Sequence, residues 1–73
     1  MPTISVTSPT AGTVWKVEAQ VGSHLAEDDP ILILEAMKME IPVHAPKAGR
    51  LVDVLVGEGA QVDEDQVVAR IEF

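Results

Sequence analysis

Apolar and polar residues alternate in short bursts along this chain, and the bursts come twice. Trp15-Lys16-Val17-Glu18-Ala19-Gln20-Val21 switches character at every residue, the period of a strand with one face in a core. Val52-Asp53-Val54 repeats the pattern further on. In Val67-Val68-Ala69-Arg70-Ile71-Glu72-Phe73 the alternation predicts Val67, Ala69, Ile71 and Phe73 inward, with Val68, Arg70 and Glu72 outward. No stretch carries a 3.6-residue period. Ile31 to Glu40 contains good helix formers, but the flanking β-branched runs and Pro42 argue against a helix. β-Branched residues dominate throughout, so the expected fold is all-β.

The bursts are two copies of one unit, offset by 37 residues. Ser8-Pro9-Thr10-Ala11-Gly12 aligns with Ala45-Pro46-Lys47-Ala48-Gly49, Gly22 with Gly59, and Glu27-Asp28 with Glu64-Asp65. Ile4 and Val6 align with Ile41 and Val43, Ile31 with Val68, and Leu34-Glu35 with Ile71-Glu72. The copies span about 4–36 and 41–73, which leaves residues 37–40 as a connector. Two copies are too few for an open solenoid, so an intertwined pair related by a pseudo-two-fold axis is expected. By the same offset Leu32 and Leu34 face in, Ile31, Ile33 and Glu35 face out, and Trp15 matches Val52 at an inward position. Ile33 stands where the other copy has Arg70, so copy one has the more apolar outer face. Gly12 and Gly49 open strands, Gly22 and Gly59 fall in turns, and Asp28-Asp29-Pro30 and Asp63-Glu64-Asp65 read as surface turns. The architecture expected is a flattened antiparallel β-barrel or sandwich, a barrel-sandwich hybrid, with quasi-two-fold symmetry and about eight short strands. The two-fold also places the chain ends at the opposite end of the domain from the connector.

Composition narrows the partners. The chain has 73 residues, enough for one domain, 1–73. It has no cysteine, so neither a disulfide nor a Cys-based metal site supports it. A cytoplasmic location is expected, since the N-terminus lacks a basic segment followed by an apolar one. No apolar run approaches the ~18–20 residues of a membrane span. The net charge of −7, with only five basic residues, disfavours nucleic acid as a partner. His24 and His44 are the only histidines and lack the companions that zinc needs. The acidic turns lack the spaced oxygen ligands of a calcium loop. No nucleophile-base pair, phosphate loop or buried acid pair points to catalysis by the chain itself.

Glu35-Ala36-Met37-Lys38-Met39-Glu40 carries the chemistry. A strongly hydrated ammonium between two soft apolar side chains fits a buried core poorly. It fits an exposed turn that another protein reads and modifies. A tight hairpin is expected between strands at about 31–36 and 40–44, although Met37-Lys38 lacks the Asn-Gly or Asp-Gly pair that such turns favour. A strained turn without glycine marks function. Met37 and Met39 can serve recognition or pack partly inward.

With its duplicated Pro-x-Ala-Gly segments, its paired glycine turns and Glu35-Ala36-Met37-Lys38-Met39, the chain resembles the biotinyl/lipoyl attachment-domain family over nearly its whole length. The resemblance implies covalent biotin on Lys38, with Met37 and Met39 as flanking recognition residues. It implies a non-catalytic carrier that moves activated CO2 between a biotin carboxylase and a carboxyltransferase. A biotin protein ligase would present biotin as a mixed anhydride with AMP, and the lysine amine would attack it. The isolated domain is expected to be monomeric. Lipoyl domains typically have Asp before the lysine and often Ala after it, where this chain has Met37 and Met39. The protruding thumb of the bacterial acetyl-CoA carboxylase carrier has no room in Ala19-Gln20-Val21-Gly22. The chain therefore looks like a thumbless biotinyl domain. The alternatives are a lipoyl carrier domain of a 2-oxo-acid dehydrogenase complex and an unmodified β-hairpin interaction module.

Overall fold

The computed structural model describes every residue, Met1–Phe73, and contains eight strands and no helix. The strands are β1 (Thr3–Thr7), β2 (Gly12–Val17), β3 (His24–Leu25), β4 (Pro30–Ala36), β5 (Met39–His44), β6 (Gly49–Val54), β7 (Gln61–Val62) and β8 (Val67–Glu72). They form two four-stranded antiparallel sheets, ordered β1-β8-β6-β3 and β5-β4-β2-β7. A shift of 37 residues, added in the first copy and subtracted in the second, carries one sheet onto the other. Each sheet takes two strands from each copy, so neither sheet is complete within one half. The expected eight-stranded sandwich of intertwined repeats is the fold observed.

The hydrogen bonds outside the ladders obey the same symmetry. Gly22 N–H donates to Leu51 O at 2.7 Å, and its twin Gly59 N–H donates to Val14 O at 2.8 Å. Asp28 N–H bonds Ala45 O, and Asp65 N–H bonds Ser8 O, both at 2.8 Å. In the acidic turns Asp29 Oδ2 accepts from Ala26 N–H and Gln66 Oε1 accepts from Asp63 N–H, each at 2.9 Å. These side chains close local turns that place Asp28 and Asp65 at φ 74° and 66°.

Four β-bulges correct the simple alternation. Pro30 pairs with His44 and Leu32 with Val43, which leaves Ile31 as an extra residue. Val68 is the extra residue in the matching place of β8. A bulge sets two residues of one strand against one of its partner and breaks the period of two. Ile31 and Leu32 are therefore both buried, as are Val68 and Ala69, whereas Ile31 and Val68 were expected outside. Trp15 and Val52 are the extra residues of β2 and β6. Trp15 is 51% exposed rather than inward. Its strand also ends at Val17, and Val21 lies in an exposed turn rather than in the same strand.

Between the sheets lie twelve buried apolar residues, among them Val14, Ile31, Leu32, Leu34, Leu51, Val68 and Ile71. All twelve are aliphatic, and every large one is β-branched or a leucine. Close approach of backbone is part of the packing. A methyl group added at Gly49 would fall 2.5 Å from Glu72 O and 2.6 Å from Ile71 Cγ2. Gly49→Ala is expected to cost about 1–3 kcal/mol through forced displacement of β8. Gly57→Ala points into open space and should cost much less, a contrast that chemical denaturation of the two variants will measure.

Candidate functional site

Ala36 pairs with Met39, so two residues, Met37 and Lys38, connect β4 to β5. Met39 and Glu40 belong to β5, which shortens the expected four-residue connector to two. Both turn residues have positive φ, 51° at Met37 and 65° at Lys38. Two successive positive φ values define the turn whose twist suits a two-residue hairpin. An L-residue held there costs roughly 1–2 kcal/mol, and neither residue is Gly, Asn or Asp. The strain is tolerated because β4 is paired on both sides, with β5 and with β2. Met37→Asn is expected to raise the melting temperature, a gain of about 1 kcal/mol or less readable by calorimetry.

The turn points its side chains into solvent. Met37 is 94% exposed and Met39 63%. Lys38 is exposed as well, and its ammonium makes no ion pair or hydrogen bond. Partial inward packing of the methionines is thus not realised. The three residues form one projecting cluster, a cation between two thioethers.

The site lies at one tip of a molecule measuring 36 × 18 × 17 Å. Phe73 N–H donates to Pro2 O at 3.0 Å, which joins the two chain ends. Residues 73 and 2 are the two-fold twins of Ala36 and Met39. The chain ends therefore occupy the place that the hairpin occupies in the other half. β1 leads from there to the loop before Gly12, and Gly12 lies against Glu35 and Ala36 at the hairpin end. The lysine and the two chain ends are at opposite tips, as the repeat implied.

Beside the hairpin is an open groove of about 400 Å³, walled by Gly12, Thr13, Glu35, Ala36, Met37 and Gln61 among others. The motif did not reveal it, because Gly12 and Thr13 of β2 and Gln61 and Val62 of β7 form much of its wall. His24 pairs opposite Arg50 and His44 opposite Pro30, in different sheets. No three His, Cys, Asp or Glu side chains gather where they could hold a metal.

Fold and site together define a small β-domain built to hold one lysine clear of its body. Residues 1–71 match the family model described as "Biotin-requiring enzyme", and the chain belongs to this biotin/lipoyl attachment family. It is 40% identical over 67 residues to urea amidolyase of Saccharomyces cerevisiae, which covers 92% of this chain and 4% of that protein. It is 35% identical over 68 residues to the Biotin/lipoyl attachment protein of Bacillus subtilis, with 93% of each chain covered. The crystal structure of Kluyveromyces lactis urea carboxylase superposes with a TM-score of 0.94 at 35% identity, over 99% of this chain and 6% of that one. The chain spans only 4% of the length of that urea amidolyase, 6% of a pyruvate carboxylase of Aspergillus niger and 10% of a methylcrotonoyl-CoA carboxylase subunit alpha of Arabidopsis thaliana.

Proposed function

We propose that this domain is a biotin carboxyl carrier in which Lys38 is covalently biotinylated. The observation that carries the proposal is an exposed, unpartnered amine on a two-residue hairpin at the tip farthest from the chain ends. The neutral Nζ attacks the acyl carbon of a biotinyl-adenylate held by a biotin protein ligase. The new C–N amide bond replaces the acyl–phosphate C–O bond, AMP leaves, and the amine releases a proton. The hairpin offers Lys38 no hydrogen-bonded base, so proton removal belongs to the ligase. Attachment at an exposed turn fits a side chain that must enter the active site of another protein. The flanking Met37 and Met39 give that protein soft, adaptable contacts.

Bound biotin would supply a ureido nitrogen able to take up and give up CO2. This chain contributes the anchor, the reach and the rigid turn. A biotin carboxylase and a carboxyltransferase would be the two stations, and the domain itself would catalyse neither step. A flexible tether at either chain end would leave the opposite tip free to visit both and would keep the arm at high effective concentration. On this reading the domain is a monomer that works in the cytoplasm.

Co-expression with a biotin protein ligase, and separately with a lipoate ligase, tests the proposal by intact mass and avidin capture. One biotinyl group per chain and no lipoyl group is the expected result. A lipoyl adduct, or an unchanged mass in both cases, would replace the biotin reading with one of its two alternatives.

A further inference from the structure

The duplication supplies an internal comparison for the surface around Lys38. Each outward row of the hairpin sheet has a twin row on the other sheet. Thr13, Glu35 and Glu40 lie side by side across β2, β4 and β5. Their twins Arg50, Glu72 and Thr3 lie across β6, β8 and β1. The next row is Lys16, Ile33 and Pro42, against Asp53, Arg70 and Ser5.

The sheet bearing the chain ends satisfies its own charges. Arg50 Nη2 lies 3.2 Å from Glu72 Oε1, and Arg70 Nη1 lies 3.6 Å from Asp53 Oδ2. Lys47 Nζ sits 3.8 Å from the centroid of the Phe73 ring. On the hairpin sheet all three cations are missing. Thr13 replaces Arg50, Ile33 replaces Arg70, and Thr10 replaces Lys47, while Ala36 replaces Phe73. The groove beside Glu35 opens where Thr13 and Ala36 stand in for the bulky Arg50 and Phe73. Glu35 and Glu40 are left without a cation, since Lys16 is engaged 3.7 Å from Glu18. In the second row Ile33 and Pro42 lie beside the exposed Trp15 where the twin sheet has an ion pair.

The fold does not require this difference, because the twin sheet holds the same backbone with the opposite surface. Exposed Trp15 and Pro42 with half-buried Ile33, set beside carboxylates that no cation compensates, have the composition of a surface meant to be covered. We infer that the outer face of β5-β4-β2-β7 is the docking face for the proteins that act on Lys38. The partner is a protein surface that sets arginine or lysine side chains beside an apolar patch. Its cations take the places that Arg50 and Arg70 hold in the other half, one of them entering the groove against Glu35. The inference rests on the carrier reading and adds to it a surface away from the Met-Lys-Met turn.

The twin sheet also dictates the test, with biotin protein ligase as the probe. Thr13→Arg, and Lys16→Asp combined with Ile33→Arg, rebuild the self-neutralised surface on the hairpin sheet in a register the fold already accepts. Each is expected to raise KM for biotinylation about tenfold with kcat unchanged, the size of one lost interfacial charge pair. Arg50→Thr on the other sheet should leave KM at the wild-type value. Amide chemical shifts of the wild-type chain titrated with the ligase should move along Thr13, Lys16, Ile33 and Glu35. Transplanted variants with wild-type KM, or shifts confined to residues 36–40, would overturn the inference while leaving the carrier reading standing. A wild-type chain that the ligase does not modify removes both.

Discussion

Lys38→Arg is expected to abolish biotin incorporation completely while leaving the domain folded. Arginine keeps the positive charge and much of the length of lysine, but its guanidinium stays protonated and cannot act as an acyl acceptor. The remaining lysines, Lys16 and Lys47, do not compensate. Lys16 lies within β2 and Lys47 lies at the far tip over Phe73. Neither stands on a two-residue turn. The fold survives because the Lys38 side chain is exposed and forms no ion pair. The check is an avidin blot beside a thermal melt. A blank blot with an unchanged melt is expected. Retained biotin would move the site elsewhere, and a lost melt would make Lys38 a structural residue.

The second large effect concerns stability and comes from a residue whose alternation alone places it on the outside. Ile31→Ala is expected to cost about 2–5 kcal/mol, the usual range for removing a fully buried branched side chain. A 73-residue domain with no disulfide has roughly 4–11 kcal/mol in total. The substitution therefore removes a large part of it and leaves the variant partly unfolded at physiological temperature. Ile33→Ala, two residues along the same strand, should cost well under half as much, because Ile33 is only half-buried on the outer face. Urea denaturation of the pair measures the difference. Equal costs would mean that the bulge at Ile31 is absent in solution.

These residues also show where the sequence is readable and where it is not. The 37-residue repeat survives without a gap, so strand number, pseudo-symmetry and the placing of Lys38 on a connector could be read directly from it. The bulges could not. Each occurs at the same place in both copies, Trp15 with Val52 and Ile31 with Val68, so the alignment passes through them undisturbed. One inserted residue reverses the facing of the residues beyond it. The alternation rule therefore misplaces Ile31, Val68 and Trp15 while placing Leu32, Leu34, Ala69 and Ile71 correctly.

The site was legible for a different reason. A lysine between two methionines on a turn without glycine breaks local rules that the rest of the chain obeys. The positive φ values at Met37 and Lys38 are the physical form of that breach. The groove and the unneutralised face were not visible in the motif, because they are defined by missing residues. Setting Thr10, Thr13, Ile33 and Ala36 beside Lys47, Arg50, Arg70 and Phe73 is the comparison that reveals them. Of these pairs only Ile33 against Arg70 stands out in the sequence alone, because the rows exist only once the strands are paired.

Fragmentation mass spectrometry of the chain purified from its native source most directly tests whether the hairpin amine is the point of attachment. One biotinyl group on Lys38, with Lys16 and Lys47 free, is the expected result. A lipoyl group at Lys38, an unmodified Lys38, or biotin on another lysine would contradict it.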